Sequence, residues 1–228
     1  MTRMANARLA GFTYLFYIAV AFPSMMLFAR ATSGAGMAAK LASMVQHPAG
    51  VRAAAVLRLL GCLCALVLAV TLYAITRDQD RDLAMLGLTC RVAEGIIGAA
   101  SIPASFGLLS IAIASGANAP DPSAAQAIGA FVLGQPELIG GWFFAVGSTL
   151  FSWLLLRGRT IPVPLAWLGV VASALLVVGL PLAFGRVISG TITQLIWFPM
   201  AAFEIPLGFW LLIKGVPSPE ASVSPHGR

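Results

Sequence analysis

Long apolar runs separated by short polar intervals dominate the chain. Six of them can be read, at roughly 9–29, 53–75, 83–104 (open to extension to 114), 138–156, 162–185 and 193–213. About 20 apolar residues at 1.5 Å per residue cross a ~30 Å hydrocarbon core as an α-helix. No ten-residue alternating pattern of the outer-membrane barrel kind occurs among them. The pattern predicts an all-α polytopic membrane protein, a six-transmembrane-helix bundle over residues 1–215.

The polar intervals differ in kind. TRDQDRD, residues 76–82, is a tight charged turn that makes the second and third spans an antiparallel hairpin. The interval from 30 to 52 has room for a short helix over 36–46, closed by the His47-Pro48 step because a residue before proline disfavours the helical region. Met37, Leu41, Met44 and Val45 share one face of it, which predicts a short helix lying on the outer surface of the bundle. Residues 116–137 open with GANAPDPS and contain another short apolar stretch, AIGAFVL. After Gly215, VPSPEASVSPHGR offers no core residues and reads as a disordered tail over 216–228. No internal repeat is visible, which removes the usual sequence pointer to an inverted-repeat transporter.

Composition sharpens the class. Of the 228 residues, 59% are hydrophobic and only 10% charged, against about 25% charged in soluble domains. The net charge of +6 is not a nucleic-acid footprint, because its basic residues sit mainly in short loops, where they set topology. With the N-terminus inside, Arg3, Arg8, Arg77, Arg81, Arg157, Arg159, Lys214 and Arg228 face the cytoplasm, and Arg30, Lys40, Arg52 and Arg186 face out. Eight against four predicts a multi-pass protein of the cell membrane with both termini cytoplasmic. The first apolar run exceeds the usual 7–15 residues of a signal peptide, so it is expected to be a retained helix.

Cys62, Cys64 and Cys90 lie inside apolar spans without ligand spacing, and read as small packing residues. His47 falls in a loop and His226 in the tail, so a bis-histidine haem site is excluded. No cofactor or metal is implied.

Four ionisable residues fall inside the spans: Arg58, Arg91, Glu94 and Glu204. Each charged group at a helix centre costs about 2.5–3.5 kcal/mol on insertion scales, so pairing, water or neutralisation must offset it. Glu94 lies near the midpoint of the third span and Glu204 near that of the sixth. Arg91 is about 4.5 Å toward the inside and Arg58 roughly 9 Å toward the outside. On the third span Arg91, Glu94, Gly95, Gly98, Ser101 and Ser105 form one polar, small-residue stripe. On the second, Gly61, Cys62, Ala65 and Ala69 share the side of Arg58. The charges are therefore expected to face the bundle interior. In the sixth span, Pro199 and Pro206 leave the carbonyls of Leu195 and Ala202 without their normal helical donors.

The stretches ARLAGFTYLFYIA, MAAKLASMVQHPAGVR, CRVAEGIIG and FEIPLGFWLLIKG recur in this order in a known family. On them the chain resembles the bacterial membrane-protein family catalogued as domain of unknown function 4386. The resemblance covers nearly the whole chain, and its distinguishing residues here are Arg91, Glu94 and Glu204, with Trp210 in the closing segment. It implies six spans and no established activity.

Three readings of the cluster follow. In the first, a structural ion-pair network joins Arg58 and Arg91 to Glu94 and Glu204. In the second, the cluster binds or transports a small molecule, lipid or ion. In the third, the weakest, paired carboxylates serve an intramembrane enzyme. The expected partner is the lipid bilayer, and no nucleic acid is implied. A role as accessory subunit and the oligomeric state stay open.

Overall fold

The computed structural model describes residues 1–114, 120–134 and 138–216, which form helices and connecting turns. Ten helices are present among them: α1 (Arg3–Ala31), α2 (Met37–Gln46), α3 (Pro48–Thr76), α4 (Arg81–Ala100), α5 (Ile102–Ile113), α6 (Pro122–Gly134), α7 (Leu138–Arg157), α8 (Val163–Phe184), α9 (Thr191–Leu195) and α10 (Phe198–Ile213). Six helical segments are long and apolar enough to cross a membrane. The protein is a multi-pass helical membrane protein. Val216, expected to open the disordered tail over 216–228, is instead 2% exposed and belongs to the main core, because it packs back under the end of the bundle. The rest of that tail, from residue 217 on, lies outside the described residues.

The spans close into a ring in chain order. α1 packs on α3, α3 on α4, α4 on α7, α7 on α8, α8 on α10, and α10 returns to α1. The short turns at 77–80 and 158–162 make the second and third spans, and the fourth and fifth, antiparallel neighbours, and small residues let the backbones meet. The α1–α10 closure is the tightest: a Cβ on Gly11 would lie 2.6 Å from the carbonyl oxygen of Gly208. The ring encloses a core that includes Leu68, Leu72, Phe151, Leu176, Phe203 and Leu207.

The two ends of the bundle are built differently. At one end Asp80 caps α4 by accepting from the amide of Leu83 at 3.1 Å. Arg3 donates to the carbonyl of Ile75 at 2.9 Å, and Arg157 lies 3.5 Å from Asp80. The charged turn thus ties the first, second, third and fourth spans together. At the other end α1 and α3, with 29 residues each, extend ~44 Å and overshoot the hydrocarbon core. Their projecting ends and α5 support a second core of Ala31, Leu41, Met44, Val51, Leu108 and Leu109, with α2 and α6 packed on it.

This outer layer changes the reading of the 36–46 helix. Met44 is fully buried and Met37 and Leu41 pack with it against α5 and α6, while Val45 stays 44% exposed. Its apolar face therefore covers protein.

Two spans expected to be continuous are broken. The third divides at Ser101 into α4 and α5, with Pro103 in the first turn of α5, where its missing N–H costs least. The sixth divides at Ile196–Trp197 into α9 and α10, again just before a proline, Pro199. α10 alone reaches only ~24 Å, so α9 completes the crossing. Pro206, by contrast, is accommodated inside α10.

Candidate functional site

α4 carries the centre of the charge cluster. It packs between α3 and α7, and each face uses glycine to come close. Toward α3, a Cβ on Gly95 would meet the Cys62 carbonyl oxygen at 3.2 Å, and one on Gly98 would meet Cys62 Sγ at 3.1 Å. Toward α7, Gly147 leaves room for the Arg91 stem, whose Cγ is 3.1 Å from the missing Cβ. Arg91 is consequently 0% exposed, among the largest fully buried side chains of the protein.

Glu94, 8% exposed, stands one turn along α4, with Oε2 2.9 Å from Arg91 Nη1. The contact is an ion pair by proximity, because neither atom is aligned for a hydrogen bond. The other carboxylate oxygen is taken from across the ring: Tyr17 of α1 donates its hydroxyl to Glu94 Oε1 at 3.0 Å. Tyr17 passes α3 where Gly61 has no side chain, 3.2 Å from the position of a Cβ. On the far side, the Arg91 guanidinium sits 4.8 Å from the centroid of the Phe144 ring, a cation–π contact with α7. Phe144 in turn meets Trp197, the residue exposed by the break between α9 and α10, at 5.8 Å.

Glu204, 7% exposed on α10, lies within electrostatic reach of Arg91 and Glu94, as does Tyr14 of α1. One arginine thus faces two carboxylates. Arg91 Nε, Nη1 and Nη2, Glu204 Oε1 and Ser148 Oγ are buried without a hydrogen-bond partner.

Arg58 occupies a different level. Its Nη1 donates to Ser101 Oγ at 3.3 Å, and Ser101 is about two turns, ~10 Å, beyond Glu94 toward the outer layer. Ser101 also donates to the Gly98 carbonyl at 2.8 Å, and Ser105 reaches back to the Ser101 carbonyl at 3.4 Å. The helix ends at Ser101, so these two serines belong to the junction with α5 rather than to one continuous stripe with Arg91.

Sequence reasoning missed Tyr14, Tyr17, Phe144 and Ser148. The first two sit three residues apart on one helical face of the first span. Phe144, Ser148 and Ser152 recur at four-residue spacing in the fourth. Both patterns are legible in retrospect, but nothing local points them at α4.

The family described as Domain of unknown function (DUF4386) matches residues 9–215. The chain belongs to the DUF4386 family. The match runs from the first span through the end of the sixth, so the whole ring and the charge cluster fall within the shared domain. No curated protein and no solved structure matches the chain.

Proposed function

We propose that the Tyr17–Glu94–Arg91–Phe144 chain is a structural network that sets how α1, α4 and α7 meet inside this integral membrane protein. The observation that supports it is Arg91, wholly removed from solvent, with Glu94 against its guanidinium and the second Glu94 oxygen held by a different span. A buried ion pair contributes little net stability, yet the cost of breaking it selects the packing that keeps it intact. Glu204 and Tyr14 extend the network toward α10 and α1. Arg58 with Ser101 does a similar job at the outer junction.

The test is a double-mutant cycle on Tyr17→Phe and Glu94→Gln, read by unfolding in detergent. The expected coupling is about 1–2 kcal/mol, since a hydrogen bond to a charged group is among the stronger kinds. Strictly additive losses would reject the network.

A second reading rests on a specific observation, the buried polar atoms of Arg91, Glu204 and Ser148 that have no hydrogen-bond partner among the described residues. Each unmet group costs about 1–3 kcal/mol. A small polar molecule, a cation or a bound proton between α4, α7 and α10 would relieve that cost and balance the second carboxylate. Native mass spectrometry of the wild type and Glu204→Gln tests it. A co-purifying mass present only in the wild type is the supporting result. Bare protein in both, with Glu204→Gln at least as stable, would eliminate this reading.

A further inference from the structure

A groove of about 450 Å³ opens at the end of the bundle where the first and last spans meet. It is lined by Met4 of α1, the α7–α8 loop with Arg159, Thr160 and Ile161, and Trp210 and Lys214 at the end of α10. We propose that this groove binds the headgroup of an anionic phospholipid, with Arg159 and Lys214 holding its phosphodiester.

Charge is the first argument. Three basic residues at this end have a carboxylate of their own: Arg157 lies 3.5 Å from Asp80, and Arg3 and Arg77 are near Asp78. Among the described residues, no carboxylate is within ion-pair distance of Arg159 or Lys214, and both side chains are exposed. Two cations therefore meet in one concavity with no carboxylate of the described residues to balance them. A basic recess between spans at the membrane surface recognises anionic headgroups.

Position is the second argument. Trp210 lines the groove, and Trp153 and Trp167 line a smaller neighbour, of about 380 Å³, that shares Arg159. Tryptophan seats at the headgroup level of a bilayer, so this rim is at the depth of the phosphates. Beside the groove, Ile213 and Val163 are 65% and 45% exposed and offer an apolar surface for acyl chains. A free phosphate would use the cations alone, whereas a phospholipid also uses the tryptophan and the apolar flank.

Rigidity is the third. Arg159 is one of two non-glycine residues with positive φ among the described residues, at 46°. The conformation is held by Thr160, whose amide and hydroxyl both donate to the Leu155 carbonyl at 3.1 Å. The loop is thus fixed before a ligand arrives, and little ordering cost accompanies binding.

The experiment titrates purified full-length protein in detergent with phosphatidylglycerol, phosphatidylcholine or inorganic phosphate, reading bound lipid by native mass spectrometry and thermal stability. Phosphatidylglycerol is expected to bind and stabilise, phosphatidylcholine to do so at least about tenfold more weakly, and phosphate not to compete. The pair Arg159→Gln/Lys214→Gln should lose about tenfold of the phosphatidylglycerol affinity. Arg77→Gln, at the same end but outside the groove, should keep it. Equal binding of the two lipids would overturn the proposal, as would a double variant that binds like the wild type. Displacement by inorganic phosphate would make this a free-anion site instead. The lipid comparison on wild-type protein stands even where the double variant folds poorly.

Discussion

Replacing Arg91 by alanine should lower the unfolding free energy by about 3–5 kcal/mol, the range seen when one partner of a buried ion pair is removed. Four losses combine there. Glu94, 8% exposed, keeps the Tyr17 hydroxyl but not its cation, and the nearby Glu204 carboxylate loses the Arg91 counter-charge. The face of Phe144 loses its cation. A fully buried stem that packs across Gly147 also leaves a cavity. Arg91→Met separates these effects, since it keeps much of the stem and removes the charge. Combining Arg91→Met with Glu94→Gln should recover part of the loss and bring the total within about 2 kcal/mol of the wild type, because no uncompensated charge remains at that pair. Denaturant unfolding in micelles measures all four proteins. Single and double variants that unfold alike would show that Arg91 and Glu94 are not energetically paired.

The second large effect is expected at Gly11, which takes no part in the charge cluster. Gly11→Ala places a methyl group against the backbone nitrogen of Leu212 and 2.6 Å from the Gly208 carbonyl oxygen. Both are main-chain atoms of α10, so no rotamer change relieves the clash and α1 and α10 must separate. Overpacking of this kind costs about 1–3 kcal/mol. Here it acts on the contact that closes the ring, so the variant should also lose the monodisperse elution peak of the wild type in size-exclusion chromatography. Gly107→Ala is the matched comparison: it lies within α5 with nothing near its Cβ position. It should be neutral or slightly stabilising, since alanine is the better helix former by about 1 kcal/mol. Equal behaviour of the two variants would mean that the α1–α10 crossing is looser than described.

Much of the architecture was legible because the bilayer constrains it strongly. A chain that must satisfy its backbone within an apolar medium forms helices, and the run lengths count them. The spans at 138–156 and 162–185 match α7 and α8 within a residue. The breaks were harder. Proline marks both Ser101–Pro103 and Trp197–Pro199, yet Pro23, Pro181 and Pro206 sit inside unbroken helices. Whether a proline ends a helix depends on what satisfies the freed carbonyl and on what the next segment packs against, and both are tertiary. The face of the 36–46 helix was read correctly in Met37, Leu41 and Met44, but its partner was not, because α5 and α6 are distant in sequence.

At the site, the local pattern identified Arg91 and Glu94 and predicted that their side of α4 is small and polar. That follows from helical periodicity and the cost of a charge in hydrocarbon, both properties of a few neighbouring residues. Only the tertiary structure decided that Tyr17 reaches Glu94 across the ring, that Phe144 covers Arg91, and that Arg58 meets Ser101 some two turns away. These contacts span 77, 53 and 43 residues of chain. They depend on the ring closing as α1–α3–α4–α7–α8–α10, a choice made by how closely glycine faces such as Gly11, Gly61 and Gly147 let helices approach. Hydrophobic patterning says which residues leave water and roughly how many helices they form. It is indifferent to which helix becomes whose neighbour, because every apolar face is equally at home in lipid; close packing and buried hydrogen bonds make that choice.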